Sequence, residues 1–369
     1  MRILYITRKY PPSVGGMQKF NFYLTQNLKE LANLELISWG GSQKWLPLVI
    51  PYFFIKASWV LLRKRVDIIH LGDASLSPLA LVLKHLFNRS ATVTVHGLDI
   101  TWKFQLYQLL VPGCLKRLDN VICVSQQTKK ECLARGVNGQ KIVIIPSGVD
   151  PQEFQIEKNQ REIRNLLQEK VKVKLQGKKI LLSVGRLVER KGFQWFSSEV
   201  LPIILKERKD VLYLIAGDGP LKARIRENIR KNGLENHAFL LGEVDHETLK
   251  RLYNASAVFV MPNVKVKGDI EGFGIVALEA ASCGLPVVAS NLEGIKDAIK
   301  HEKNGFLIEP SNAQEFANVI IKLLKNDEKR RKFGKEAMKF VLQNYNWKKI
   351  SERYIEEFAR MNYYIKKMI

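Results

Sequence analysis

Short, mostly apolar runs recur along the first part of the chain, at 2–7, 34–38, 66–70, 91–95, 120–124 and 142–145. They do not alternate with polar residues, which is the pattern of strands buried on both faces of a parallel sheet. Between them, 17–31 and 77–87 carry apolar residues at helical spacing. The rhythm restarts at 179–184 and continues at 211–216, 238–241, 257–261, 287–290 and 305–308; from 313 to 369 the pattern is helical. Strand alternating with helix predicts an α/β chain with two parallel-sheet domains, 1–150 and 178–345. A charged, helical linker at 151–177 joins them, and 346–369 forms a last helix.

One stretch carries chemistry. Residues 268–286 read Gly-Asp-Ile-Glu-Gly-Phe-Gly-Ile-Val-Ala-Leu-Glu-Ala-Ala-Ser-Cys-Gly-Leu-Pro. They predict a polar loop, then an alanine-rich helix stopped by Gly284 and Pro286, then a strand. Gly272 and Gly274 leave the backbone bare at the helix start, where the N–H groups of Phe273, Ile275 and Val276 suit a phosphate. Glu271 and Glu279 stand eight residues apart, about 12 Å at a helical rise. A nucleotide sugar fits that span, with hydroxyls at either carboxylate and diphosphate over the amides between.

Other strand ends add to this. The strand at 2–7 runs into a loop with Gly15 and Gly16 ahead of a helix, the layout of a phosphate site. It is neither a dinucleotide fingerprint nor a P-loop, since no G-x-G-x-x-G and no Gly-Lys-Ser/Thr is present. His96-Gly-Leu-Asp99 follows a strand directly and so lies at a carboxyl edge, where α/β sites open; His70 also closes a strand. Arg186 and Lys191 flank a short turn after the strand at 179–184, and two cations there suit a diphosphate. Gly217 and the segment from Gly242 to Val244 form further strand-edge turns. His246-Glu247 lacks the second His of a zinc helix.

The run 45–62 is apolar with a single charge, Lys56, and Arg63-Lys64-Arg65 follows it. Three readings fit. It is a helix packed on the first sheet, or an apolar face lying in a membrane surface with Trp45 and Trp59 at the interface, or a membrane span. Pro47, Pro51 and Lys56 count against the span.

Composition narrows the classes. At 369 residues with 46% hydrophobic content, the chain suits two domains with real cores. The formal net charge is +23. Residues 1–150 hold 19 basic and 8 acidic side chains and the rest 40 and 28, so the halves carry +11 and +12 and no tail holds the excess. Such a field attracts nucleotide diphosphates, anionic lipid surfaces or nucleic acid. No nucleic-acid-binding module is recognisable and the Trp residues are scattered, which argues against nucleic acid. Cys114, Cys123, Cys132 and Cys283 lack metal spacing and read as reduced thiols of a cytosolic protein. The N-terminal run is too short for a signal peptide and reads as a strand.

Glu271 and Glu279, set in Glu-Gly-Phe-Gly…Leu-Glu-Ala…Gly-Leu-Pro-Val, resemble the E-x7-E signature of the family 4 retaining glycosyltransferases. The resemblance spans nearly the whole chain and is loosest at 40–90. The 262–284 block looks most like phosphatidyl-inositol mannosyltransferases. It implies the GT-B fold, two Rossmann-like domains facing a cleft, with the last helix crossing back onto the N-terminal one. The first domain would take the acceptor and the second the nucleotide-sugar donor.

Residue by residue, the resemblance implies that Gly15 and Gly16 face the donor diphosphate and the acceptor. His96 would lie by the sugar and the incoming hydroxyl, with Asp99 and His70 on the acceptor side. Arg186 and Lys191 would hold the diphosphate, and Gly217 would lie near the nucleotide. The Gly242–Val244 segment would meet the base. Glu271 would hold the sugar and Glu279 the ribose. The implied reaction is retaining, metal-independent transfer of a hexose, with a lean to mannose, to a glycan or lipid-linked acceptor. The enzyme would need no cofactor and would sit in the cytoplasm or peripherally on the cytoplasmic face of a membrane. A sugar-nucleotide epimerase or hydrolase of the same fold is the alternative.

Overall fold

In the computed structural model, which describes residues 1–150, 152–156 and 160–368 (side chains at 160 and 363–368 excepted), each apolar run forms a strand. The chain divides into two units. The first comprises Met1–Gly148, Gly268–Phe273 and Trp347–Ile369; the second comprises Val149–Lys267 and Gly274–Asn346.

The first unit holds β1 (Arg2–Thr7), β2 (Asn33–Ser38), β3 (Ile68–Leu71), β4 (Ser90–Val95), β5 (Asn120–Cys123) and β6 (Ile142–Ile144). They form one parallel sheet in the order β2-β1-β3-β4-β5-β6. The chain moves one way from β1 to β2 and the other way from β3 to β6. Right-handed crossovers therefore put α1 (Gly16–Leu31) on one face. They put α2 (Leu46–Arg63), α3 (Ser77–Phe87), α4 (Leu98–Thr101), α5 (Gln105–Leu115) and α6 (Gln126–Ala134) on the other. The helices α4, α5 and α6 have little apolar periodicity and were not legible as helices.

In α2 the run at 45–62 is half core. Val49, Phe53, Ala57, Val60 and Leu61 are buried with the sheet, while Leu48, Tyr52, Ile55, Trp59 and Leu62 are exposed.

The second unit opens with α7 (Gln160–Val171) and holds β7 (Lys179–Val184), β8 (Val211–Ala216), β9 (Ala238–Gly242), β10 (Val258–Met261), β11 (Val287–Ser290) and β12 (Phe306–Ile308). The sheet is again parallel, in the order β12-β11-β10-β7-β8-β9. A three-residue helix α8 (Phe193–Trp195) continues through a π-helical turn into α9 (Leu201–Glu207). Further on lie α10 (Lys222–Lys231), α11 (His246–Ala255), α12 (Ile275–Ser282) and α13 (Ile295–Ala298). The fold is the two-sheet α/β architecture expected.

The long helical tail is three helices, α14 (Ala313–Lys325), α15 (Asp327–Asn344) and α16 (Trp347–Met368). Asn326 breaks the first two apart and caps α15, its side chain accepting from Lys329 N–H. The last, α16, packs on the first unit's sheet: Tyr354 Oη lies 2.9 Å from Thr94 Oγ1, Asn120 donates to Glu357, and Arg353 donates to the Ile144 carbonyl at 2.8 Å. Gly148 serves this packing by clearance. A Cβ there would stand 2.6 Å from the Trp347 ring.

Candidate active site

In each sheet the strand order reverses once, and ligands of open α/β sheets bind beyond the carboxyl ends at such a point. The reversal lies between β7 and β10 in the second unit and between β1 and β3 in the first.

In the second unit the predicted donor residues gather around that point. Gly185 N donates to the Ala216 carbonyl at 2.9 Å, and Gly217 N donates to the Gly242 carbonyl at 2.7 Å. So the ends of β7, β8 and β9 are laced together. A Cβ on Gly217 would stand 2.0 Å from Gly185 O, and one on Gly192 would stand 1.9 Å from Pro262 O. The latter draws the turn after β7 onto the end of β10, where Val264 N also donates to Arg190 O at 3.0 Å. Two predicted cations sit in that turn. Arg186 is exposed, while Lys191 is buried, its stem 3.3 Å from where a Gly185 Cβ would be.

Beyond β10 the chain returns to α12, whose N-terminal residues are Ile275 and Val276. Gly274 caps it in the left-handed conformation, φ 87°. Glu279 is buried in α12 and accepts from Tyr253 Oη at 2.8 Å. Tyr253, on α11, orients a predicted ribose ligand, and nothing in its sequence spacing pointed to it. Val244 lines a cavity of about 530 Å³ beside the edge strand β9, with Lys170, Arg226, Phe239 and Thr248.

In the first unit, Gly15 and Gly16 lead into α1 after β1, Gly15 as its N-cap. His96, after β4, is held on one side. Its Nε2 donates to the Gly72 carbonyl at 3.0 Å, and Phe20 meets its ring edge-on at 4.6 Å. A carbonyl only accepts, so Nε2 carries the proton and Nδ1 keeps its lone pair in the neutral ring. The loop that carries Glu271 packs here. A Cβ on Gly272 would stand 1.9 Å from His96 O, and one on Gly97 would stand 3.0 Å from Gly272 Cα. These two glycines bring the Glu271 loop, with buried Phe273, against the His96 loop.

Two acceptor-side expectations change. Asp99 is buried. One oxygen accepts from His96 N and Gly97 N at 2.9 and 2.8 Å, the other from Ala74 N at 3.0 Å. It shapes the loop and does not face an acceptor. Burial pushes its carboxyl pKa up, against the pull of His96 and of the amides. His70 is fully buried between the sheet and α16, against Tyr354 and Phe358. Its Nδ1 pairs with Thr92 and its Nε2 with Thr94 at 3.0 Å, so neither nitrogen is left for a ligand.

Asp73 and Arg8 were missed. They meet at the first reversal point, Arg8 Nε 3.1 Å from Asp73 Oδ1. Asp73 Oδ2 is buried without a hydrogen-bond partner among the described residues. Both stand close after strand ends, the one signal that marked them.

Two family models cover most of the chain. Glycosyltransferase Family 4 matches residues 14–153 and Glycosyl transferases group 1 matches 166–340. The chain belongs to the family 4, group 1 glycosyltransferases. An uncharacterized glycosyltransferase of Methanocaldococcus jannaschii is 28% identical over 97% of this chain and 98% of its own. A GDP-mannose-dependent phosphatidylinositol monomannoside mannosyltransferase of Mycobacterium tuberculosis is 23% identical over 97% of this chain and 98% of its own. Among solved structures, Anabaena HepE in complex with UDP superposes with a TM-score of 0.76 at 18% identity, covering 98% of this chain and all of that one. The fold of this glycosyltransferase is thus the GT-B fold of its relatives.

Proposed function

We propose that this glycosyltransferase moves a hexose, with mannose the leading candidate, from a nucleoside-diphosphate sugar to a lipid-linked or glycan acceptor on the cytoplasmic side of a membrane, with retention at the anomeric carbon. The observation that carries the reading is the second sheet's reversal point, where two cations and a bare helix start adjoin the glycine-cleared ends of β7 to β10. Charge develops on the departing diphosphate, and fixed donors aimed at it lower the barrier. Arg186, Lys191 and the amides from Phe273 onward supply those donors. Glu271 holds the sugar hydroxyls and Glu279 the ribose. His96, with Nδ1 as an acceptor, receives a hydroxyl of the sugar or of the incoming acceptor.

Same-face attack, with the leaving phosphate oxygen taking the acceptor's proton, needs no protein nucleophile. The double displacement of a retaining glycosidase pair is therefore not invoked. The donor charge is met by these side chains and amides, so turnover continues with a chelator present; complete loss restored by Mg²⁺ overturns that part. The relative named for GDP-mannose supports mannose.

A thermal-shift panel of GDP-, UDP- and ADP-sugars against wild type and Arg186→Ala tests the site. A ligand at 100 times its Kd stabilises by about 2.7 kcal/mol. One nucleotide shifting wild type alone is the expected result. No shift with any of them removes the donor site from this reading.

A further inference from the structure

Soluble domains cover most of their large apolar side chains, and wide exposed patches mark contact surfaces. The outer face of α2 is such a patch. Trp45, Leu48, Tyr52, Ile55, Trp59 and Leu62 are each about half exposed or more, with Leu62 at 76%. Their spacing of three and four places them on one stripe, across the helix from the residues that enter the core. α2 packs on α3, and α3 packs on α5. Both continue the patch: Val82 and Leu86 on α3, then Leu106, Leu109 and Leu110 on α5. Trp102 and Phe104, 57% and 56% exposed, extend it to the end of the His96–Thr101 loop.

The charge around this face is mostly positive. Lys44, Lys56, Arg63, Arg65, Lys103, Lys116 and Arg117 are exposed around it. Residues 39–118 contain no Glu and three Asp, all withdrawn, and the acids at the margins, Glu35 and Asp119, are paired with Lys64 and Lys84 at 2.6 Å. Asp73 and Asp99 are buried, and Asp67 accepts from Arg2 N at 2.8 Å. Arg63 lies over the Trp59 ring at 4.6 Å, and Lys56 donates to Tyr52 Oη at 3.2 Å. Tyr and Trp rims with cations beside them are the composition of a helix in a bilayer interface.

We propose that the outer face of α2, α3 and α5 seats this protein on an anionic lipid bilayer. The segment Gln43–Arg63 is long and apolar enough to cross one. Its inner face is committed to the sheet, so α2 lies flat, with its apolar stripe among the acyl chains and its cations on headgroups. The occupant is a bilayer and not a second copy of the chain, because two copies of this face would bring like charges together. The seating also deepens the transfer reading, and rests on it in one respect: a lipid-linked acceptor would reach the His96 loop along the Trp102–Phe104 edge.

Vesicle flotation tests the seating without any sugar. Wild type should float with vesicles containing phosphatidylglycerol at low salt, less so at high salt, and weakly with pure phosphatidylcholine. The combined exposed-face variant Leu48→Gln, Ile55→Gln, Leu62→Gln should partition at least about tenfold less. Its nucleotide-induced thermal shift, measured in parallel, should stay as in wild type, which shows that it folds. No flotation of wild type at low salt overturns the seating, as does equal flotation of wild type and variant. So does a wild-type dimer in size exclusion that the variant abolishes while neither floats. A missing nucleotide shift with intact flotation would instead break the transfer reading and leave the seating in place.

Discussion

The two reversal points share a topology and differ in chemistry. At the second, glycines clear the ends of β7, β8 and β10, and the side chains added to that bare backbone are Arg186 and Lys191. Backbone amides and cations suit a polyanion. At the first, the side chains are His96 and Arg8, with His96 Nδ1 as an acceptor and Asp73 buried beneath them, paired with Arg8. Arg8 is paired with Asp73 and Lys9 stands beside them, so this edge combines paired charge with an imidazole acceptor. It suits hydroxyls. On the proposed reading, one architecture supplies an anion edge and a hydroxyl edge by changing only the few residues after each strand, and the glycines are as decisive as the charged residues.

The largest effects should separate the two edges. If Arg186 and Lys191 are the proposed donors to the leaving diphosphate, Lys191→Ala and Arg186→Ala should each lower transfer about 10²- to 10³-fold. The nucleotide-induced thermal shift should go with it. His96→Ala should slow transfer about 10²-fold and leave the nucleotide shift within error of wild type. A His96 variant that also loses the nucleotide shift would break the division between the edges.

Smaller, and more local, is the effect of Asp99→Asn. The carboxylate now accepts three backbone N–H groups, from His96, Gly97 and Ala74. An amide has one oxygen, and its NH2 would face at least one of those donors. One buried N–H is left unpaired, at about 1–3 kcal/mol. The His96 loop should loosen, with transfer reduced and the nucleotide shift unchanged. Denaturant unfolding reads the stability loss, and a variant as stable as wild type would show that Asp99 does not shape the loop.

The contrast also explains what was legible in the sequence. The strands were, because their apolar runs are too short for buried helices and are bounded by turn residues; β1, β7, β8 and β11 span the residues expected. Arg186, Lys191 and the 268–286 stretch were legible because bare backbone needs glycine, and glycines at strand ends are visible as letters. The hydroxyl edge was harder. A histidine at a strand end looks the same whether it turns into the core, as His70 does, or toward the edge, as His96 does. Only the Thr92 and Thr94 hydroxyls, brought alongside by strand register, settle His70. Arg8 and Asp73 pair across 65 residues, and Tyr253 and Glu279 across 26, which no local pattern encodes. The outer face of α2 was ambiguous because its run is apolar all round, and only packing tells the core stripe from the exposed one.

The mildest test uses the cores beneath the two edges. The first sheet buries His70; the second buries Tyr213, which donates to Ser183 Oγ at 2.8 Å. Burial lowers the His70 pKa from 6.5 to about 3, with His96 adding to the shift. Burial pushes the Tyr213 phenol up, away from neutral pH. Between pH 6.5 and 3 the unfolded chain binds a proton at position 70 that the folded chain refuses. The stability this group contributes is therefore complete above pH 6.5 and is lost as pH falls toward 3. From pH 7 to 5.5 the loss from His70 should be about 1 kcal/mol, and it should fall on the first unit. Hydrogen exchange at both pH values, corrected for intrinsic rates, should show β3 and β4 opening more readily at pH 5.5, with β7 and β8 unchanged. His70→Gln, which cannot take up a proton, should flatten the difference. Equal loosening of both sheets, or a His70→Gln protein that still softens in acid, would mean that the two cores do not differ in this way.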